Sequence, residues 1–175
     1  MNTQTKTRKI VLTGVFIALG IILPFLTGQI QGIGNKLLPM HIPVLLCGFV
    51  CGGIYGLAAG LIVPVFRSML FGMPPMFPTA VSMAFELCIY GLVTGILYKK
   101  LPKKNWAIYV SLIIAMLAGR IVGGIDNVIL YGMQGNTYSV QMFMAGMFLN
   151  AVPGIVLQLV LLPVIIMLLK RAKVM

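Results

Sequence analysis

The chain has 175 residues, 60% of them hydrophobic and 9% charged, with a mean hydropathy of +1.07 and a formal net charge of +11. A soluble domain carries roughly 25% charged residues, so the composition excludes a soluble fold and predicts a polytopic, all-α membrane protein. About six or seven spans of ~20 residues fit the length, and no room remains for a soluble catalytic domain.

The first apolar run, Ile10–Leu26, follows the basic residues Lys6, Arg8 and Lys9. It is longer than a signal-peptide core and no small-residue cleavage site follows it, so it reads as a retained span. The second run, Met40–Phe71, presents a length problem. At ~1.5 Å per residue it would make a helix of nearly 50 Å, well beyond a ~30 Å hydrocarbon core. Charge placement resolves it. Lys99, Lys100, Lys103 and Lys104 form a second basic cluster, and Lys170, Arg171 and Lys173 a third. If Met40–Phe71 were one helix, the second cluster would lie on the opposite side from the first, against the positive-inside rule. A break within "CGGIYG", Cys51 to Gly56, restores agreement, and glycine permits the turn. Six transmembrane helices follow, at 10–27, 40–53, 55–71, 78–98, 105–131 and 140–169, in a single integral membrane domain over 1–175 with both termini cytoplasmic. Loops Thr27–His41, Gly72–Pro78 and Gly132–Ser139 then face outward. No continuous basic face runs along the chain, so the positive charge speaks for topology rather than nucleic acid.

Polar residues interrupt the later spans in a regular way. Thr79, Ser82, Glu86 and Tyr90 recur at i, i+3, i+7 and i+11, which puts them on one helix face. Glu86, one of two acidic residues in the chain, lies roughly 12 Å in from the outer end of its span by helix rise. A charge at that depth costs about 2.5 kcal/mol or more unless paired or hydrated, so the stripe should face protein or water. Arg120 in the fifth span, with Gly123, Gly124, Asn127 and Tyr131, makes a second stripe, and Asn150, Gly154 and Gln158 a third. Arg120 is the natural counterpart of Glu86, and Asp126 falls on a different face. The expected site is an outward-open cavity lined by Glu86, Tyr90, Arg120, Asn127 and Asn150, beneath a lid carrying Met73, Met76 and Phe77. His41 and Arg67 are added near the outer ends of spans two and three. Each feature also has a plainer reading. Glu86 and Arg120 suit a structural ion pair, His41 a capping group, Arg67 a snorkelling cation and the methionines gap fillers.

Gly14 and Ala18 form a small-xxx-small pair on the first span, suited to close helix approach within the bundle or to an external partner. Cys47, Cys51 and Cys88 form neither a disulfide framework nor a metal motif. The chain lacks GxxxxGK[ST], HExxH and GxSxG, and no carboxylates are closely paired, which speaks against an ATPase and against an enzyme generally.

The six-span layout, the basic four–five loop and the stretch "LPMHIPVLLCGFVCGGIYGLAAGLIVPVFRSMLFGMPPMFPTAVSMAFELCIYGLVTGILYKK", Leu38 to Lys100, resemble the substrate-binding S component of energy-coupling factor (ECF) vitamin transporters, most of all its pantothenate, folate and pyridoxine branch. The resemblance implies a multi-pass subunit of the bacterial plasma membrane that captures a water-soluble vitamin outside. It also implies docking on a membrane scaffold, the T component, with two cytoplasmic ATPases that alone use ATP; the S component itself needs no cofactor. The family's docking motif, AxxxA on span one, corresponds here to Gly14 and Ala18, with glycine in place of the first alanine. The ligand is held by loops one and three and by spans four to six, which here carry Met73, Met76, Glu86, Tyr90, Arg120, Asn127 and Asn150. Arg120 facing an anion favours pantothenate. Two readings of another class remain beside it: a self-sufficient secondary transporter or channel using Glu86, and a structural protein whose polar stripes only bind helices together.

Overall fold

The computed structural model describes residues 3–28, 37–102 and 104–172. Most of the first outer loop, 29–36, lies outside the described residues, so the grip expected of that loop does too. Every regular element described is helical: α1 (Thr3–Gly28), α2 (His41–Cys51), α3 (Gly53–Phe71), α4 (Val81–Lys100), α5 (Asn105–Met133), α6 (Val140–Met144) and α7 (Val152–Arg171). Wide π-type turns, Met76–Ala80 and Ala145–Leu149, lead into α4 and follow α6. In hydrocarbon a helix satisfies its own backbone, so long apolar runs have little alternative. Among the described residues five helices are long and apolar enough to cross a bilayer, and α2 is a shorter apolar one.

Two spans depart from the sequence expectation. The sixth, expected as one helix over 140–169, is divided, and only α7 is long enough to cross. Pro153 lies in the first turn of α7. A proline tolerated there would clash with the carbonyl four residues back in a continuous helix. The second span is also shorter than expected. With 11 residues, α2 rises only ~16 Å, about half a hydrocarbon core.

α2 and α3 meet at Gly52, whose φ of 103° is open to glycine and strained for other residues. The two helices fold back on each other and pack on α4, which also contacts α5; α1 covers α2 and α3, and α7 leans on α5 and α2. Small residues set this closeness. A side chain at Gly56 would meet the carbonyl oxygen of Gly91 at 2.5 Å, and Gly48, Gly60 and Gly95 are similarly pressed against neighbouring helices. A buried apolar cluster containing Ile42, Leu45, Phe49, Tyr90, Leu112, Met116, Leu162 and Ile166 joins α2, α4, α5 and α7. The outward faces are apolar, as in the stripe Val156, Val160, Val164 and Leu168 along α7.

The ends of the bundle differ in charge. Lys9 lies over the ring of Tyr55 near the start of α3, and Lys170 over Tyr98, beside Lys99 and Lys100 at the end of α4. The described members of the three basic clusters therefore gather at one end, the end the positive-inside rule reads as cytoplasmic. At the opposite, outer end Phe25 of α1 meets Phe71 of α3 edge to face, with ring centroids 4.7 Å apart.

Candidate functional site

Glu86 and Tyr90 stand one turn apart on α4, and both are buried. The Tyr90 hydroxyl donates to Glu86 Oε1 at 2.8 Å. His41, the first residue of α2, brings Nε2 to 3.8 Å from the same oxygen, and its ring lies 5.3 Å from that of Tyr90. Arg120 of α5 is buried, 3% exposed, and within electrostatic reach of both Glu86 and Tyr90. Four polar side chains from three helices thus converge away from lipid, as the cost of a solitary intramembrane charge demands.

Local sequence explains the convergence. Gly119, next to Arg120, leaves the space that the Tyr90 ring occupies; a side chain there would overlap the ring. Thr94 turns its hydroxyl back to the Tyr90 carbonyl at 2.6 Å, so it spends its donor within α4. The short α2 starts within the bundle, level with Glu86, so His41, expected near the outer end of its span among the site residues, is buried against Glu86. Sequence reasoning paired Glu86 with Arg120 and missed the His41 contact, because the relative register of α2 and α4 is written in neither helix alone.

The remaining expected residues are dispersed. Asn127, half-buried on α5, donates Nδ2 to the Gly123 carbonyl at 2.7 Å. Asn150 is exposed beyond the second π-type turn, and Met73, Met76 and Phe77 are exposed in the connection from α3 to α4. Arg67 is not brought to the cluster. Its Nη1 donates to the Ile21 carbonyl at 2.7 Å, and its guanidinium lies 4.6 Å from the Phe25 ring centroid, so it ties α3 to α1. Asp126 Oδ2 is buried without a hydrogen-bond partner. Gln158 of α7, part of the third stripe but outside the expected lining, is fully buried, and neither of its amide atoms has a hydrogen-bond partner. Gly14 and Ala18 face out of the bundle on α1, and nothing lies within 4 Å of where a Gly14 side chain would begin. Among the described residues no group of three or more His, Cys, Asp or Glu converges as a metal site would require.

A family model described as ECF transporter, substrate-specific component, matches residues 8–166, nearly the whole chain. The chain belongs to this family. As an S component it is a membrane subunit that confers substrate specificity on an ECF transporter, and membership implies a small-molecule substrate, a T component and ATPases as partners. S components are transporter subunits rather than enzymes. The family also accounts for the resemblance carried by Leu38–Lys100, but it does not select one vitamin branch. No curated protein and no solved structure matches the chain.

Proposed function

We propose that this S component captures a water-soluble vitamin bearing a carboxylate, with pantothenate the best match, at the outer half of the bacterial plasma membrane for uptake driven by ATP in the partner subunits. The observation that carries the reading is the buried meeting of His41, Glu86, Tyr90 and Arg120. Arg120, within electrostatic reach of Glu86, brings the cation a carboxylate needs, and Tyr90 and His41 bring further polar atoms to the same place. Pantothenate adds an amide and hydroxyl groups to its carboxylate, which suits a site of mixed donors and acceptors inside apolar walls. Met73, Met76 and Phe77 stand at the outer end, where a solute would enter.

The same reading assigns the T component to the face of α1 around Gly14 and Ala18. Small residues that leave a helix backbone open to an approaching partner are what close helix contact requires.

Mass spectrometry of small molecules released from gently purified protein tests the substrate. Pantothenate, retained by the wild type and lost from Arg120→Ala, is the expected result. Folate or pyridoxine in its place would reassign the vitamin. Uptake into liposomes by this subunit alone, driven by a pH gradient without ATPases, would overturn the subunit reading in favour of a secondary transporter.

A further inference from the structure

Buried polar atoms in folded proteins almost always find a hydrogen-bond partner, and an amide that finds none destabilises the fold. Gln158 is 0% exposed and both its Oε1 and its Nε2 lack one. Its place on α7 narrows the reason. Gly154, Gln158, Leu162 and Ile166 share the buried face of that helix, the face turned to α5 and α2. Leu162 belongs to the same apolar cluster as Ile42, Tyr90 and Met116. α7 runs from the outer end toward the basic end, so Gln158 sits one turn, ~6 Å, outward of Leu162. Ile42, next to His41 at the start of α2, belongs to the same buried cluster as Leu162, and the Nδ1 of His41 is likewise buried with no partner. Ser111 and Tyr98 also hold lone buried hydroxyls without partners, but on helix segments nearer the basic end. Among the described residues, the unsatisfied His41 Nδ1 belongs to the ionic cluster itself, and Gln158 lies on α7, which packs against α2.

We propose that Gln158 is a ligand-binding residue that determines specificity: its side-chain amide offers one acceptor and two donors to the amide or hydroxyl groups of the captured solute, while Arg120 takes the carboxylate. The assignment rests on the capture reading given above and extends it. It separates hydroxylated or amide-bearing carboxylates, which can satisfy both Gln158 atoms, from plain carboxylates, which leave them unmet. It also implies that the empty protein carries a cost that the solute relieves.

The test compares wild type with Gln158→Met, close in shape but without the polar atoms, using pantothenate binding by titration calorimetry and the melting temperature of the ligand-free protein. The expected result is an affinity weakened roughly 10- to 100-fold, the loss of one or two hydrogen bonds. Melting of the empty variant should be unchanged or raised by about 2–4 °C, because an unmet amide has been removed. A structural amide satisfied by water would instead lower the melting temperature and leave affinity alone, and that outcome overturns the assignment. If the methionine variant does not survive extraction, Gln158→Asn carries the same comparison, with weakened binding and a melting temperature within about 2 °C of wild type expected. Loss of folding in both variants also marks the amide as structural and overturns the assignment. A wild type that binds none of pantothenate, folate or pyridoxine overturns the capture reading and this assignment with it, whereas a wild type that binds pantothenate no better than Gln158→Met overturns this assignment alone.

Discussion

Replacing Glu86 probes whether one carboxylate organises the buried polar cluster. Glu86→Ala removes the acceptor of the Tyr90 hydroxyl at 2.8 Å and the anion 3.8 Å from His41, and it withdraws negative charge from the surroundings of Arg120. A hydrogen bond to a charged group contributes ~1.5–3 kcal/mol, and removing one member of a buried charged set costs ~3–5 kcal/mol in all. Glu86→Gln keeps an oxygen for Tyr90 and the side chain's volume, so its expected cost is smaller, about 1–2 kcal/mol. For a chain of this size each kcal/mol lowers the melting temperature by about 2–4 °C. The alanine variant should therefore melt about 6–20 °C below wild type and the glutamine variant about 2–8 °C below. The protein carries its own reporter. Cys47, Cys51 and Cys88 are free and buried, so a thiol-reactive fluorophore brightens as the bundle opens. If both variants melt within about 2 °C of wild type, Glu86 does not hold these groups together and the electrostatic account of the cluster fails.

Arg67→Ala should lower stability by about 1–2 kcal/mol, through the lost bond to the Ile21 carbonyl and the Phe25 contact, yet leave pantothenate affinity within about twofold; a large loss of affinity on calorimetry would return Arg67 to the site. Gly91→Ala places a methyl group against the Gly56 backbone and should cost about 1–3 kcal/mol by thermal melting, whereas Gly14→Ala, with open space around it, should be close to neutral. Gly14→Leu or Ala18→Leu should abolish co-purification with the T component while ligand binding and melting temperature stay as in wild type; assembly that persists unchanged would remove that face of α1 from the interface.

How far the site could be read from the sequence depended on whether the information was local. The stripe of Glu86 and Tyr90 was visible because helix periodicity puts residues four apart on one face whatever surrounds them. The turn at Gly52 was approachable because three basic clusters constrain the number of crossings, and glycine marks where the chain reverses. Other features belong to tertiary structure. His41 looked like an isolated residue at a helix end, since nothing in α2 states how deep that helix begins. Arg67 resembled the other intramembrane cation, but the carbonyl it binds is 46 residues away on α1. The division between α6 and α7 did have a local signal, Pro153, which the uninterrupted apolar run obscured.

The arrangement of α4 explains why the charged cluster tolerates its depth. One stripe of this helix, Gly91 and Gly95, is bare enough for α3 to pack backbone against backbone. The adjoining stripe, Glu86 and Tyr90, faces α2 and α5, where His41 and Arg120 wait. Close packing on the first stripe fixes the rotation of α4 about its own axis. That rotation decides whether Glu86 meets His41 or hydrocarbon, since residues 90 and 91 differ by only about 100° around the helix. A bulkier seam would push α4 outward or turn it, and the energy needed would fall on the ionic cluster as well as on the packing. The glycines and the charges are thus one energetic system, and a seam variant that lowered stability while leaving the Glu86–Tyr90 contact and solute binding untouched would show the two stripes to be independent.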